Sequence, residues 1–132
     1  MIESGLVALI TADNAVRTIA PVGGFPSQLP NDQALPSWTY MFVSDIPGYS
    51  FQGESSLTAR RLQIDCFATN GADVIRLADA IDKVLSAYKG TLTDADSTRV
   101  EGCFRTMRID FFDTDAQNFR RLLEYMIWFH QS

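Results

Sequence analysis

The sequence predicts an α+β fold, in which a mainly antiparallel sheet of about four to five strands carries two helices on one face. Apolar residues occupy every second position from 62 to 68, which is the two-residue period of a strand. A capped amphipathic helix follows from Asn70, and a second alternating segment covers residues 99–112. The chain has 132 residues, the usual size of one domain, so we assign residues 1–132 to a single α+β domain.

Composition and charge exclude several classes of function. Sixteen acidic and eleven basic residues give a net charge of -5 and a pI near 4.6, so no overall field attracts nucleic acid or an anionic membrane. No run approaches the roughly 20 apolar residues of a membrane-spanning helix, and the first six residues lack the features of a secretory signal. Cys66 and Cys103 lie among alternating apolar residues. We expect a cytosolic protein with reduced, buried thiols and no membrane association.

The first element is predicted to be a helix over residues 2–11. Its apolar residues fall on one helical stripe, formed by Ile2, Leu6, Leu9 and Ile10. Residues 16–20 contain β-branched side chains and predict a short strand. Pro and Gly residues between 21 and 30 prevent a long element, so a winding connector is expected until about residue 36.

Residues 38–43 predict a central strand that is covered on both faces, because aromatic and β-branched side chains occupy both of its alternating sets. Residues 44–56 are rich in Gly, Ser, Pro and Asp, which predicts a structureless loop of a length that is often functional. Tyr49 and Phe51 lie in this loop, where they either pack back on the domain or become ordered on contact with another chain. The loop is the candidate moving part.

A helix is predicted to begin after Asn70. Asn70 is a good N-cap, and Asp73 takes the third helical position as a shorter equivalent of the Glu in a capping box. The predicted buried stripe consists of Val74, Leu77, Ala78, Ile81, Leu85 and Tyr88. Lys89 and Gly90 should end the helix, and residues 91–98 should form an acidic loop.

Residues 99–112 predict a long strand with two alternating faces. One face would contain Cys103, Arg105, Met107, Ile109 and Phe111, and the other Gly102, Phe104, Thr106, Arg108 and Asp110. A hairpin turn is expected at residues 113–118. The pattern of residues 119–129 fits either a helical stripe or an aromatic-rich strand, and periodicity alone does not decide between them.

No group of residues has the spacing of a catalytic or metal site. His130 is the single histidine, so the chain offers no histidine cluster and no pair of imidazoles. Asp94 with Asp96, and Asp113 with Asp115, lack the glycine and distal glutamate of a calcium loop, and we interpret them as solvated turn residues. We therefore predict no enzymatic activity, no catalytic residues, no cofactor and no metal.

Two arginine pairs, Arg60 with Arg61 and Arg120 with Arg121, mark the entrances of strand-like segments. Adjacent residues of a strand point to opposite faces, so one member of each pair should lie on each face of the sheet. Two interpretations stay open. The arginines either keep the sheet edge soluble or meet acids of a neighbouring subunit in its turns near residues 94–96 and 113–115.

Residues 38–43 and 122–129 are apolar on both faces. Helices on one side of a sheet cover one face of each strand. The opposite face is therefore expected to require a partner.

Several segments carry a resemblance to a known family. They are residues 61–68 (RLQIDCFA), residues 77–81 together with Leu85 and Gly90, and Arg120 with Arg121 leading into residues 125–128 (YMIW). In these segments and in the order of its predicted elements, the chain resembles the phage tail completion family, also described as tail terminator or head-tail joining proteins. The shared features are structural rather than catalytic.

The resemblance implies a small α+β subunit that forms a ring, commonly hexameric, at the head-proximal end of the tail of a virion assembled in the bacterial cytoplasm. There it would stop polymerisation of the tail tube protein and present a docking surface to the head-tail connector protein. It implies a strand at residues 119–129 and no catalytic residues. DNA would pass through the lumen without specific binding, which agrees with the net negative charge because an acidic lining releases no condensed counterions.

Two alternative functions differ in their contacts. A head-tail connector or minor capsid protein would bind the head side and leave tube growth unaffected. A small-molecule binding module would show a pocket lined by Trp38, Tyr40 and Trp128. The residues predicted to form the interface with another subunit or a partner are Tyr49, Phe51, Arg61, Arg120, Arg121 and Trp128.

Overall fold

The computed structural model of the protein describes residues 2–30, 33–50, 53–114 and 117–130, with the backbone alone for 44–50 and 53–56. The helices are α1 (Ile2–Thr11), α2 (Asn14–Ile19) and α3 (Gly71–Leu85). The strands are β1 (Phe25–Pro26), β2 (Ser37–Ser50), β3 (Gly53–Ala68), β4 (Gly90–Thr91), β5 (Arg99–Asp113) and β6 (Asn118–His130). None of the helices among these residues is long and apolar enough to cross a membrane.

The strands form one sheet in the order β1-β2-β3-β6-β5-β4. The short β1 runs parallel to β2, and every other neighbouring pair is antiparallel. The helices and one face of the sheet contribute to a single apolar core. The predicted α+β class is confirmed, but the predicted counts were low, because six strands and three helices lie within the described residues.

Helices α1 and α3 form where their apolar stripes predicted them. The side chain of Asn70 accepts a 2.8 Å hydrogen bond from the backbone N–H of Asp73, and its amide donates to Asp73 Oδ2 at 2.9 Å. The helix ends earlier than predicted, at Leu85, because Ser86 already has an extended backbone. Tyr88 lies beyond the helix but still packs against the core.

The predicted strand at residues 16–20 is wrong, because most of these residues belong to α2. Asp13 acts as the N-cap, and its side chain accepts a hydrogen bond from the backbone N–H of Val16 at 3.2 Å. The side chain of Val16 is fully buried in the core. Capping and tertiary packing outweigh the weak strand preference of β-branched residues.

The loop predicted at residues 44–56 is also wrong, since the described residues of this segment belong to the paired strands β2 and β3. Their pairing extends from Ser44 opposite Arg61 to Ser50 opposite Gly53. The composition of this segment is typical of a loop, but the backbone N–H and C=O groups of each strand find hydrogen-bond partners on the other strand. Tyr49 lies in β2 opposite Glu54, and Phe51 lies outside the described residues.

The strand at residues 38–43 exists but is not covered on both faces. Trp38 is fully buried, and Tyr40 and Phe42 pack against the same core. On the other face Met41 is 38% and Val43 42% exposed. The strand lies near the edge of the sheet, beside the two-residue β1. The described helices pack on the face that carries Trp38, and no described element covers the face that carries Met41.

Residues 119–129 form a strand, β6, as the family resemblance implied, and β5 covers the second predicted long strand. The predicted alternation of β5 is wrong beyond residue 105. Arg105 lies opposite Tyr125 and Met107 lies opposite Glu124, so Thr106 is an extra residue, a β-bulge. The bulge places Met107, Ile109 and Phe111 on the same face as Gly102 and Phe104.

Both cysteines are free and buried, as predicted. Burial raises the pKa of the Cys66 thiol, and the neighbouring Asp65 carboxylate raises it further. Burial raises the pKa of the Cys103 thiol to about 12, with a smaller contribution from Asp82. Neither cysteine is therefore a reactive thiolate near neutral pH.

Candidate assembly surface

The sheet face opposite the helices, called the open face here, carries a large apolar surface. Its exposed large side chains are Met41, Val43, Phe104, Met107, Ile109, Phe111 and Trp128. Five of them lie side by side on β5 and β6, because residues that pair directly in an antiparallel sheet share a face and because the bulge at Thr106 turns Met107, Ile109 and Phe111 toward this face. Met41 and Val43 lie on β2, on the other side of β3. Extended apolar surface of this kind marks contact sites for other proteins.

Trp128 occupies a position between two small residues of the neighbouring strands. It pairs with Ala59 of β3 and with Gly102 of β5, and its side chain is 41% exposed. Gly102 leaves room for the ring of Phe104, since a Cβ at Gly102 would lie 2.8 Å from Cε2 of Phe104. The two aromatic side chains are anchors of the type that dominates protein interfaces.

Charged pairs cross the middle of the open face. Arg61 Nε lies 2.9 Å from Glu124 Oε1, and Arg120 Nε donates to Asp65 Oδ1 at 2.8 Å. The Arg120 guanidinium also lies 4.9 Å from the ring centroid of Phe111. These contacts hold the charged groups within the apolar surface, as in interfaces that combine apolar and polar contacts.

The other arginine of each pair lies on the helix side of the sheet, which confirms the predicted division between the faces. Arg60 stacks on the ring of Phe42, 4.0 Å from its centroid, and lies 3.5 Å from Glu3 Oε1. Arg121 donates to both carboxylate oxygens of Asp110, at 2.6 and 3.1 Å. The hydrogen bond from Arg121 holds the pKa of Asp110 below its ordinary value.

All four arginines thus contact acids of their own chain. Asp94 likewise accepts hydrogen bonds from the backbone N–H and the hydroxyl of Thr98, at 2.8 and 2.6 Å. An arginine pair that reached a neighbouring subunit would share or exchange these partners. Contacts between the arginines and turn acids of another subunit stay a prediction.

The sheet also has two long strand edges without a described neighbour. On β5, only Arg99 and Val100 pair with β4, and the carbonyl of Cys103 accepts from the N–H of Ala87 at 2.8 Å. On β2, β1 pairs with Thr39 and Tyr40 alone. Unpaired strand edges present backbone donors and acceptors to other chains.

The described residues also form grooves at the ends and sides of the sheet. A shallow groove of about 390 Å³ lies at the β5-β6 end, lined by Phe67, Phe112, Asn118 and Arg120 among others. Within the described ranges, no group of three or more His, Cys, Asp or Glu side chains could hold a metal ion.

The three side chains predicted to line a small-molecule pocket do not lie together. Trp38 and Tyr40 lie on the helix face of β2, whereas Trp128 lies on the open face. The three side chains are therefore separated by the sheet and do not line one cavity.

Among the predicted interface residues, the structure brings three to the open face: Arg61, Arg120 and Trp128. Arg121 lies on the helix face, Tyr49 lies far along β2, and Phe51 is outside the described residues. The interface prediction omitted the β5 residues Phe104, Met107, Ile109 and Phe111. The sequence did contain a sign of them, because Phe104 falls in one alternating set of positions before residue 106 and the other three residues fall in the opposite set after it. A bulge of one residue brings all four to the same face.

Comparisons with known proteins agree with this architecture. The model of the family described as "Tail completion protein gp17" matches residues 4–130. A chain in the solved structure "Virion of native gene transfer agent (GTA) particle" is similar in fold, with a TM-score of 0.76 and 12% sequence identity over 97% of this chain and 93% of that chain. No curated protein sequence matches.

Proposed function

Because the chain belongs to the family of tail completion protein gp17, we propose that it is a structural subunit that forms a ring at the head-proximal end of the tail of a phage or phage-like particle. The ring stops polymerisation of the tail tube protein and provides the docking surface for the head-tail connector protein. The protein catalyses no reaction in this role. Its partners are further copies of itself, the tube protein and the connector protein.

The observation that carries the proposal is the open face with its exposed aromatic and aliphatic side chains. A subunit of 132 residues that leaves seven large apolar side chains uncovered on one sheet face is built to place that face against protein. The internal ion pairs on the same face supply fixed polar positions that make such contacts specific.

The net charge of -5 supports the passage of DNA through the ring. A basic lining would release counterions on binding phosphate and would hold the DNA in place. An acidic subunit avoids this affinity. The sliding of DNA through the lumen without specific binding therefore belongs to the proposal.

The test is the effect of the purified protein on polymerisation of its cognate tail tube subunit, with the assembled tails measured by negative-stain microscopy. We expect tails of uniform length that carry a distinct ring at one end. Tubes that continue to grow in the presence of the protein would overturn the terminator role. They would favour a connector or minor capsid protein on the head side.

A further inference from the structure

The two free strand edges lie on opposite sides of the sheet and fit each other. The β5 edge comprises residues 104–113, which lie beyond the short pairing with β4. The β2 edge comprises residues 41–46, which lie beyond the pairing with β1 and before Pro47. Proline has no N–H to donate, so Pro47 limits the length over which the β2 edge can pair.

Strand direction allows the two edges to pair between copies. The four long strands run in alternating directions from β2 to β5, because each pair among them is antiparallel. β2 and β5 therefore run in opposite directions. A copy rotated about a ring axis places its β2 beside β5 of the first copy in antiparallel orientation, which continues the sheet.

The backbone shows which residues of each edge can bond outward. The carbonyls of Cys103 and Tyr40 accept hydrogen bonds from outside the four long strands, from Ala87 and Ser27 respectively, both at 2.8 Å. Backbone groups alternate in direction along a strand, and each bulge resets the count by one residue. An outward position is one whose backbone N–H and C=O point away from the neighbouring strand of the same copy. Following the strand register from Cys103 and Tyr40, these positions are Phe42 and Asp45 on β2, and Arg105, Arg108, Asp110 and Phe112 on β5.

Two registers of the two edges match outward positions, sheet faces and charge, with either Arg105 or Arg108 opposite Asp45 of the next copy. Arg105 already forms an ion pair with Asp82 of its own copy at 3.1 Å, so the register with Arg108 is the one that adds a new ion pair. With Arg108 opposite Asp45 of the next copy, the bulge at Val43 brings Asp110 opposite Phe42 and Phe111 opposite Met41. An arginine then faces an acidic residue, and two open-face apolar residues face each other across the seam. Moving the register by two residues would place Asp110 opposite Asp45, two like charges directly across the ladder.

The stagger of this register agrees with a closed sheet. Within one copy Asp45 is level with Cys103, through Arg60 and Ile127. Arg108 lies five residues after Cys103, but Thr106 is a bulge, so pairing Asp45 with Arg108 of the neighbour shifts successive copies by four ladder positions. This is roughly 14 Å along the strands, over four strand spacings of roughly 19 Å in total. The resulting strand tilt is about 36°, at the lower end of the roughly 35–45° of closed β-barrels.

We propose that the β5 edge of one copy pairs with the β2 edge of the next, with Arg108 opposite Asp45, so that the ring contains one continuous sheet. This inference rests on the proposed ring. It adds the seam through which the copies join.

The test is a pair of cysteine substitutions across the seam, Met41→Cys with Phe111→Cys, in tails assembled from cells that express the cognate tail proteins. Both native side chains are exposed, and Cys66 and Cys103 are buried. The two positions form a pair of the closely spaced kind, within the Cα separation of a disulfide. Mild oxidation should produce disulfide-linked oligomers on a non-reducing gel, and the largest closed species reports the number of subunits.

The matched control is Met41→Cys with Phe112→Cys, because Phe112 is exposed but lies on the helix face of the same strand. This control pair should yield no disulfide-linked oligomers on the gel. Capped tails in which the first pair fails to cross-link, or in which both pairs cross-link equally, would overturn the seam while the terminator role stands. Tails that the unmodified protein does not cap would overturn the proposed function and the seam with it.

Charge exchange gives a second measurement of the same seam. Arg108→Asp or Asp45→Arg alone places like charges across every subunit contact, and each should abolish the capping of tails. The double exchange restores opposite charges and should restore capping. Two single variants that cap normally, or a double variant that stays inactive although both single variants fold, would contradict the register.

Discussion

The hydroxyl of Tyr125 donates a 2.7 Å hydrogen bond to Oδ1 of Asp82, which joins the central strand β6 to helix α3. Tyr125 is fully buried, and Asp82 Oδ2 accepts a second hydrogen bond, from Arg105 of β5 at 3.1 Å. One carboxylate thus connects three elements of the fold. The contact holds the helix layer against the strands that carry the open face.

Tyr125→Phe removes this hydrogen bond and keeps the aromatic side chain in place. A hydrogen bond to a charged acceptor contributes about 1.5–3 kcal/mol, so we expect the free energy of unfolding to fall by about that amount. Urea denaturation followed by circular dichroism measures it. Tyr88→Phe is the control, because the Tyr88 hydroxyl makes no hydrogen bond within the described part of the chain. Equal losses in the two variants would contradict the assignment.

High pH should destabilise the protein by ionising the buried side chains of Tyr125 and Cys103. Burial and the hydrogen bond to Asp82 raise the pKa of Tyr125 above its ordinary value of 10.0, and burial raises the pKa of Cys103 to about 12. Unfolding lowers these pKa values, so the stabilisation is complete below about pH 9 and is lost as the pH rises through the unfolded and then the folded pKa values. The free energy of unfolding should be level from pH 7 to 8 and fall above pH 9. A level profile to pH 11 would refute this.

Gly23 should tolerate no side chain, because a Cβ there would collide with Nε1 of the fully buried Trp38. Gly23→Ala should lower the free energy of unfolding by about 1–3 kcal/mol, the usual cost of overpacking. Gly71→Ala is the matched control, since its Cβ would meet only Cε1 of Phe119 at 3.9 Å. Thermal melts of both variants test the difference. A Gly71→Ala protein that is the less stable of the two would contradict the packing.

The contact between Arg121 and Asp110 should be visible in a proton titration. The hydrogen bond from Arg121 is the largest cause of the low pKa of Asp110, so Arg121→Ala should raise that pKa toward the ordinary value of 3.8. Because the folded pKa is depressed, the stabilisation is present above the unfolded pKa and is lost as the pH falls through the folded one. Carboxyl ¹³C NMR measures the titration. Arg76→Ala, which removes the ion-pair partner of Asp73, should leave the pKa of Asp110 unchanged.

A charge on the open face should prevent assembly without unfolding the subunit. Ile109→Asp introduces a carboxylate into the apolar surface, and Ile75→Asp makes the same change on the outer face of α3, where Ile75 is 43% exposed. We expect the first variant to lose tail capping and the second to retain it, with similar melting temperatures. Capping that survives Ile109→Asp would remove the open face from the proposed interface.

The sequence predicted best where local signals agreed with the tertiary environment. Around α3, the Asn70 cap and the apolar stripe act within one helix, so no distant residue was needed. It predicted poorly where distant strands decided the outcome. Residues 44–56 look like a loop by composition, yet β2 and β3 supply the hydrogen-bond partners of each other there. Residues 16–20 prefer a strand locally, but Asp13 caps a helix there and Val16 enters the core.

The candidate site divides in the same way. The two-residue alternation of strands was enough to predict that some segments are apolar on both faces and that the members of each arginine pair lie on opposite faces. The face that Met107, Ile109 and Phe111 occupy depends on the extra residue at Thr106, which no period in the sequence indicates. Its hydroxyl donates to the backbone carbonyl of Glu124 across the ladder, a contact that exists only once β6 lies beside β5.

By itself the sequence determined the α+β class, the two long helices and most of the long strands, because the period of apolar residues follows directly from helix and strand geometry. Periodicity left residues 118–130 open between helix and strand, and the family resemblance implied a strand. The physical reason lies in the tertiary structure, since the pairing of β6 with β3 and β5 selects the strand. Only the tertiary structure decided which sheet face stays uncovered. That choice depends on where three helices pack and on one bulge, which are properties of the assembled layers rather than of any single segment.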